Sequence, residues 1–234
     1  MTQQFETEVI ETEQTSTSSR SIRLLRPQEF DFLPGQFIIL KLEGLQGEVA
    51  KPLSLSCSPT EEFLQITKRL TGHEFSNALL SLKEGDSVGF SGPFGRFTFH
   101  GEYEKIAMLS GGIGITPLRS MIKYCTDKGL PTDIILFYSN RQEDDIPFGD
   151  EFEAIKAKNR KFTIINTLTR PAPSWKGRVG RIDADMIRQM LADYSERVFY
   201  TSGPQKMVDS MQLVLDEMNI PASQTRKEYF PGYD

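Results

Sequence analysis

The run Leu109-Ser-Gly-Gly-Ile-Gly-Ile-Thr-Pro117 carries the residue types needed to hold a phosphate. Gly111, Gly112 and Gly114 let the backbone turn tightly and let a ligand approach it closely. Apolar residues 105–109 run straight into the turn, and residues 117–128 read as a helix beyond it. A strand that passes through glycines into a helix points backbone N–H groups and the positive helix end at a pyrophosphate. Pro117 suits the first helical turn, where its missing N–H costs nothing. Glycine turns of this kind also serve packing alone, so the companions of the run decide its meaning.

Four further segments stand in order around it: Lys51-Pro-Leu-Ser54, Gly72-His-Glu-Phe-Ser76, Gly92-Pro-Phe-Gly-Arg-Phe97 and Thr201-Ser-Gly-Pro-Gln-Lys-Met207. The sequence closes on Glu228-Tyr-Phe-Pro-Gly-Tyr233. The first segment offers a cation and a hydroxyl. The second leads into a short helix at 76–82, a place for an anion, although Ser76 equally suits a plain N-cap. The fourth follows a strand and opens a helix at Gly203-Pro204.

The elements that must position these residues fall into two kinds. Strands are predicted at 37–42, 63–67, 88–90 and 97–99, with 76–82 the lone helix among them. Short strands separated by Gly/Pro turns argue for a closed antiparallel barrel. Residues 11–20, rich in Thr and Ser, read as an exposed hairpin. Beyond His100-Gly-Glu-Tyr-Glu104 the pattern alternates. Strands are predicted at 105–109, 133–138, 162–168, 198–201 and 228–230, and helices at 117–128, 150–158, 183–191 and 205–218. That order argues for a doubly wound parallel α/β sheet. The expected domains are therefore 1–101, an N-terminal antiparallel six-stranded β-barrel, and 102–234, the α/β domain.

A length of 234 residues accommodates both. The net charge of −5 gives no broad basic surface, so no nucleic-acid partner is expected. Cys57 and Cys125 form no Cys-x-x-Cys pair, and no zinc or iron–sulfur pattern is present. Buried thiols in a reducing cytosol are the expectation. His73 and His100 are too few and too separated for a metal site. No apolar run reaches bilayer length, and the N-terminal residues lack a signal-peptide layout. A cytoplasmic protein without a membrane span is expected.

Taken together, the quoted segments resemble the ferredoxin–NADP reductase superfamily of FAD- and NAD(P)-binding oxidoreductases, from about residue 4 onward. Phe137-Tyr-Ser-Asn140, with Glu143, Asp145 and Ile146, is similar to NADH–cytochrome b5 reductases and single-chain bacterial relatives. The resemblance implies a barrel that holds FAD and an α/β domain that holds NADH, with NADPH possible. Hydride would pass to the flavin, and electrons onward to a separate redox protein or small molecule, since no iron–sulfur cluster is encoded here.

The resemblance also assigns residues. Relatives carry Arg-x-Tyr-Ser/Thr at positions 51–54. Lys51 would meet the FAD pyrophosphate without the two-pronged guanidinium fit. Pro52 and Leu53 would line the flavin without aromatic stacking, and Ser54 would approach flavin N5. Ile66, Thr67 and Lys68 follow on the next strand. His73, Glu74, Phe75 and Ser76 would meet the pyrophosphate, His73 otherwise reading as a loop residue. Thr116 and Phe230 complete the FAD set, with Tyr229 and Tyr233 as alternative rings.

For the nicotinamide nucleotide the resemblance implies Gly111, Gly112, Ile113, Gly114, Thr116 and Pro117 at the turn. It adds Ser139, Asn140 and Arg141 at the ribose, and Ser202, Gly203, Pro204 and Met207 opposite. Ser202 stands where many relatives have Cys. The expected catalytic residues are Ser54, Ser202 and Glu228. An amide or acid beside the ribose suits a free 2′-hydroxyl, and an arginine a 2′-phosphate. Asn140 with Glu143, Asp144 and Asp145 favours NADH over the pull of Ser139 and Arg141. The loop Trp175-Lys-Gly-Arg-Val-Gly180 would border the adenine, with Arg170 and Arg178 either on phosphate or solvated.

Two alternatives stand beside the reductase. One is a non-catalytic binding or regulatory module with a decayed flavin site, favoured by Lys51, Leu53 and Ser202. The other is an electron-transfer subunit of a larger oxidoreductase. The dihydroorotate dehydrogenase type of subunit carries a terminal Cys cluster that this sequence lacks.

Overall fold

A computed structural model describes residues 3–45 and 47–231. Strands β1 (Gln4–Ser16), β2 (Ser19–Leu25), β3 (Phe37–Gly44), β4 (Gly47–Ser54), β5 (Phe63–Arg69) and β6 (Ser87–Phe94) pair antiparallel. Their order is β4-β3-β6-β1-β2-β5. The two ends of the sheet meet where Leu55 bridges Ile66, and the Ser56 N–H donates to the Gln65 carbonyl at 2.8 Å. The sheet therefore curls into a barrel. Alternate residues point inward, so Ile22, Leu24, Ile38, Leu40 and Leu64 are fully buried. Pro52 is tolerated in β4 because that strand has a ladder partner on one side only. Helix α1 (Glu74–Ser81) packs against β3 and β4.

The second half is β7 (Lys105–Gly111), α2 (Thr116–Asp127), β8 (Asp133–Asn140), α3 (Gly149–Lys158), β9 (Phe162–Leu168) and β10 (Arg178–Val179). It continues with α4 (Ala184–Met190), β11 (Val198–Pro204), α5 (Gln205–Glu217) and β12 (Thr225–Phe230). All six strands run parallel in the order β10-β9-β8-β7-β11-β12. Alternation splits the core into two layers. Met108 and Leu136 face Leu118, Ile122 and Phe152, while Leu109 and Phe137 face Ile187 and Leu215. The strand order reverses between β7 and β11, the place where open α/β sheets bind ligands beyond their strand ends. Among the described residues, no helix is long and apolar enough to cross a membrane.

Two expectations need correction. Residues 97–99 form no strand. Phe97 and Phe99 instead set their rings against Tyr200, with centroids 5.5 and 5.8 Å away, inside the core of the α/β half. The short apolar alternation that reads as a strand serves packing between the two halves. Second, Ser76 does not cap α1. The helix starts at Glu74 after His73, and the Ser76 hydroxyl accepts from the Thr71 N–H at 3.3 Å. The expected hairpin at 11–20 is the end of β1, a turn at 17–18 and the start of β2.

Candidate functional site

The barrel and the parallel sheet enclose a cleft of about 260 Å³, lined by Pro52, Leu53, Ser54, Thr67, Ile113, Thr116, Glu228, Tyr229 and Phe230. The end of β4 supplies Leu53 and Ser54, both buried. β12 supplies Glu228, carried in by its parallel pairing with β11, where Ser202 stands opposite. The Ser54 hydroxyl donates to Glu228 Oε2 at 3.5 Å. Burial raises the Glu228 carboxyl from 4.5 to about 8, and the Ser54 bond offsets only part of that rise. At neutral pH the cleft thus holds a protonated carboxylic acid and a hydroxyl side by side, able to give or take a proton among apolar walls.

Lys68 follows Thr67 on β5 and is buried. Desolvation and the charge of exposed Lys51 push its ammonium down to about 8. Two cations this close favour an anion beside them. Gly72, at φ +74°, leads into α1 with open space where a Cβ would stand.

The glycine turn lies at the reversal point of the sheet. A Cβ on Gly114 would fall 2.1 Å from the Ser202 carbonyl oxygen, so only glycine fits there. Gly112 adopts φ +52° and has open space beyond it, room for a ligand against the backbone. Two side chains from β8 pin the turn. Asn140 Oδ1 accepts from the Gly112 N–H at 3.2 Å, and the Tyr138 hydroxyl donates to the Gly112 carbonyl at 3.0 Å. A cleft of about 550 Å³ opens here, reached by Gly111, Gly112, Ile113, Ser139, Asn140, Arg141, Pro204 and Met207. An open glycine cradle over a strand end fits a dinucleotide, and the apolar slot with its half-buried acid fits a flavin ring.

Other expected residues lie elsewhere. Ser202 is fully buried and donates to the Gly114 carbonyl at 2.7 Å, so its hydroxyl holds the turn from behind instead of facing either cleft. Ile66 and Phe75 belong to the barrel core. Pro117 is buried at the start of α2, and Gly203 lies against Met207 and Gly114. His73 is exposed and Glu74 half-buried at the head of α1. Arg170 and Arg178 do not reach the cleft at the glycine turn, and Arg178 turns to Met190. The acidic run divides, with Asp145 in that cleft and Glu143 and Asp144 on a separate groove. Tyr233 lies outside the described residues.

Sequence reasoning missed Arg69, Arg181 and Lys206, which line the cleft at the glycine turn. Lys206 sits inside a quoted segment and Arg69 directly follows Lys68. Arg181 looks like ordinary loop charge, and only the fold shows otherwise. Arg119 was missed as well. From α2 it reaches both oxygens of Glu61 at 2.6 and 3.1 Å, the Ser56 carbonyl at 2.8 Å, and Glu151 at 2.6 Å. This buried cluster joins the barrel to the sheet.

Comparison with known proteins agrees with this arrangement. Residues 6–99 match the oxidoreductase FAD-binding domain and residues 108–213 the oxidoreductase NAD-binding domain. The glycine betaine monooxygenase reductase subunit of Pseudomonas aeruginosa is 31% identical over 212 residues, covering 88% of this chain. The chain spans 58% of that relative's length. The propane 2-monooxygenase reductase component of Mycolicibacterium goodii is 28% identical, over 97% of this chain and 68% of its own. In structure, the cytochrome b5 reductase domain of Ulva prolifera nitrate reductase superposes with a TM-score of 0.84 at 24% identity, over 97% of both chains. A ferredoxin–NADP+ reductase from Neisseria gonorrhoeae superposes with a TM-score of 0.82 at 19% identity, over 97% of this chain and 98% of its own. The paired FAD- and NAD-binding domains, in this order and fold, make the chain a member of the ferredoxin–NADP reductase superfamily.

Proposed function

We propose that the chain is an NADH-dependent flavin reductase that passes electrons to a separate acceptor, with FAD on residues 1–101 and the nucleotide on 102–234. One observation carries this reading. Ile113 lines both clefts, so the glycine turn and the Ser54–Glu228 pair share a wall. A nucleotide seated on the turn would have its far end delivered to the flavin slot. FAD, when bound, accepts hydride from the nicotinamide and releases electrons singly or in pairs.

The chain's own residues supply orientation and protons. Pro52 and Leu53 give apolar cover, and Thr116 and Phe230 bound the slot. Ser54 sets the Glu228 carboxyl in place, and Glu228 holds a proton at neutral pH for exchange at the slot floor. Lys51 and Lys68 attract the FAD phosphates. Asn140 and Tyr138 keep the Gly112 cradle shaped for the second nucleotide. Relatives named as reductase components of monooxygenases support a partner protein of that kind as acceptor. Asp145 supports NADH by opposing a 2′-phosphate, against the pull of Arg141, Arg181 and Lys206. The two free, buried cysteines support a cytoplasmic location.

The test is colour and bleaching. The purified protein should be yellow, or become so on adding FAD. NADH should bleach the flavin band at least tenfold more efficiently, in kcat/KM terms, than NADPH. A colourless protein that takes up no FAD would favour a non-catalytic module. A tenfold preference for NADPH that Arg141→Ala abolishes would overturn the choice of nucleotide.

A further inference from the structure

The tip of the β1–β2 hairpin belongs to the barrel but ends on the nucleotide cleft of the other half. Ser16 Oγ donates to Asp145 Oδ1 at 2.8 Å. Ser18 donates to the same oxygen from its hydroxyl at 2.6 Å and its N–H at 3.2 Å. The Thr17 N–H donates to the Asp144 carbonyl at 3.2 Å. The tip is itself anchored, since the Ser18 carbonyl accepts from the Leu70 N–H at 2.8 Å and Ser19 pairs with Arg69. Asp145 lines the nucleotide cleft with Asn140, Arg141 and Arg181. The three donors that Ser16 and Ser18 direct at the carboxylate all meet Oδ1, which leaves Oδ2 as the oxygen that can serve a ligand.

We propose that Ser16 and Ser18 are positioning residues for nucleotide choice: the hairpin tip fixes the Asp145 carboxylate at the cleft so that it accepts from a ribose hydroxyl and rejects a phosphate there. The proposal rests on the NADH reading above. Carboxylates are set by such charge-assisted bonds, which are short and directional. Without the two hydroxyls only the Ser18 N–H still holds the Asp145 carboxylate, which then swings more readily toward Arg69, whose charge acts on it already. The ribose hydroxyl would then lose its acceptor and a 2′-phosphate its repulsion. The flavin-binding half of the chain thereby takes part in choosing the nucleotide that binds to the other half.

The experiment is equilibrium binding of NAD+ and NADP+ to the FAD-loaded protein by calorimetry. It compares wild type, Ser16→Ala/Ser18→Ala, Ser16→Thr/Ser18→Thr and Asp145→Asn. Wild type should bind NAD+ more tightly. The double alanine variant should narrow the ratio of the two dissociation constants by about tenfold, the scale of one charge-assisted bond. The double threonine variant, which keeps both hydroxyls, should restore most of it. If Asp145→Asn narrows the ratio while the alanine variant leaves it unchanged, the hairpin proposal fails and the NADH reading stands. If the alanine variant weakens both nucleotides equally, the hairpin is only structural and the proposal fails. If wild type itself prefers NADP+, the NADH reading fails and takes the proposal with it.

Discussion

Replacing Glu228 by Gln removes a group that the fold keeps protonated well above its ordinary range. In an unfolded chain this carboxyl loses its proton near 4.5, and burial holds it to about 8 in the folded one. Between those values folding requires proton uptake. The cost is therefore absent below 4.5, grows as pH rises and is complete above about 8. A displacement of that size corresponds to on the order of 5 kcal/mol. Water entering the open cleft reduces it, and about 2 kcal/mol is expected, roughly 4–8 °C in Tm for a chain of this size. Flavin-free protein should be unfolded thermally at half-unit steps from pH 4 to 9. Glu228→Gln should match wild type at the acid end and exceed it by that margin at pH 9. A constant offset across the range, or a wild-type advantage at pH 9, would refute the claim that burial governs this carboxyl.

Other substitutions probe the remaining parts. Lys51→Arg with Leu53→Tyr restores a two-pronged cation and a ring, and should slow FAD release on dilution by about tenfold. Equal or faster release would remove both residues from the flavin site. Ser54→Ala should stay folded and yellow yet slow flavin reduction in stopped flow, and a wild-type rate would exclude it from the chemistry. Ser202→Ala should cost about 1 kcal/mol through the lost bond to the Gly114 carbonyl and weaken NADH binding more than FAD binding; the reverse order would contradict its place behind the turn. Arg119→Ala takes the cation from half-buried Glu61 and partly exposed Glu151 and should cost about 1.5–3 kcal/mol in urea unfolding, the scale of a hydrogen bond to a charged group. A loss under about 1 kcal/mol would show that the cluster is already solvated.

What the sequence made legible was local. The glycine run announces its own turn because the required backbone angles and close approaches are met by glycine alone. Helix 205–218 shows in periodicity because one face, with Val208, Met211 and Leu215, is buried, and strand 162–168 shows as a short apolar and β-branched run because both its faces are covered. The Ser54–Glu228 pair was reachable through the resemblance, although the residues lie 174 positions apart. What stayed hidden depends on contacts between distant segments. Nothing near Arg119 reveals that Glu61 and Glu151 converge on it. Ser76 has the look of a cap, and Thr71, five residues earlier, claims its hydroxyl first. Ser202 has the right type and place for a cleft residue, yet the tight packing of Gly114 on its backbone turns its hydroxyl inward.

The connection through Phe97 and Phe99 bears on how members of this superfamily can exchange parts. A cut after residue 101 severs the chain between its two sheets, but both rings remain on the barrel side while their packing partners, Tyr200 among them, stay on the other. A barrel grafted from a relative would bring its own residues to those two seats. One with smaller side chains there would leave a void under Tyr200 even if every flavin contact were preserved. The halves are thus interchangeable as binding modules only where these two positions match, and the grafting point that respects the packing lies before Phe97, ahead of the covalent seam.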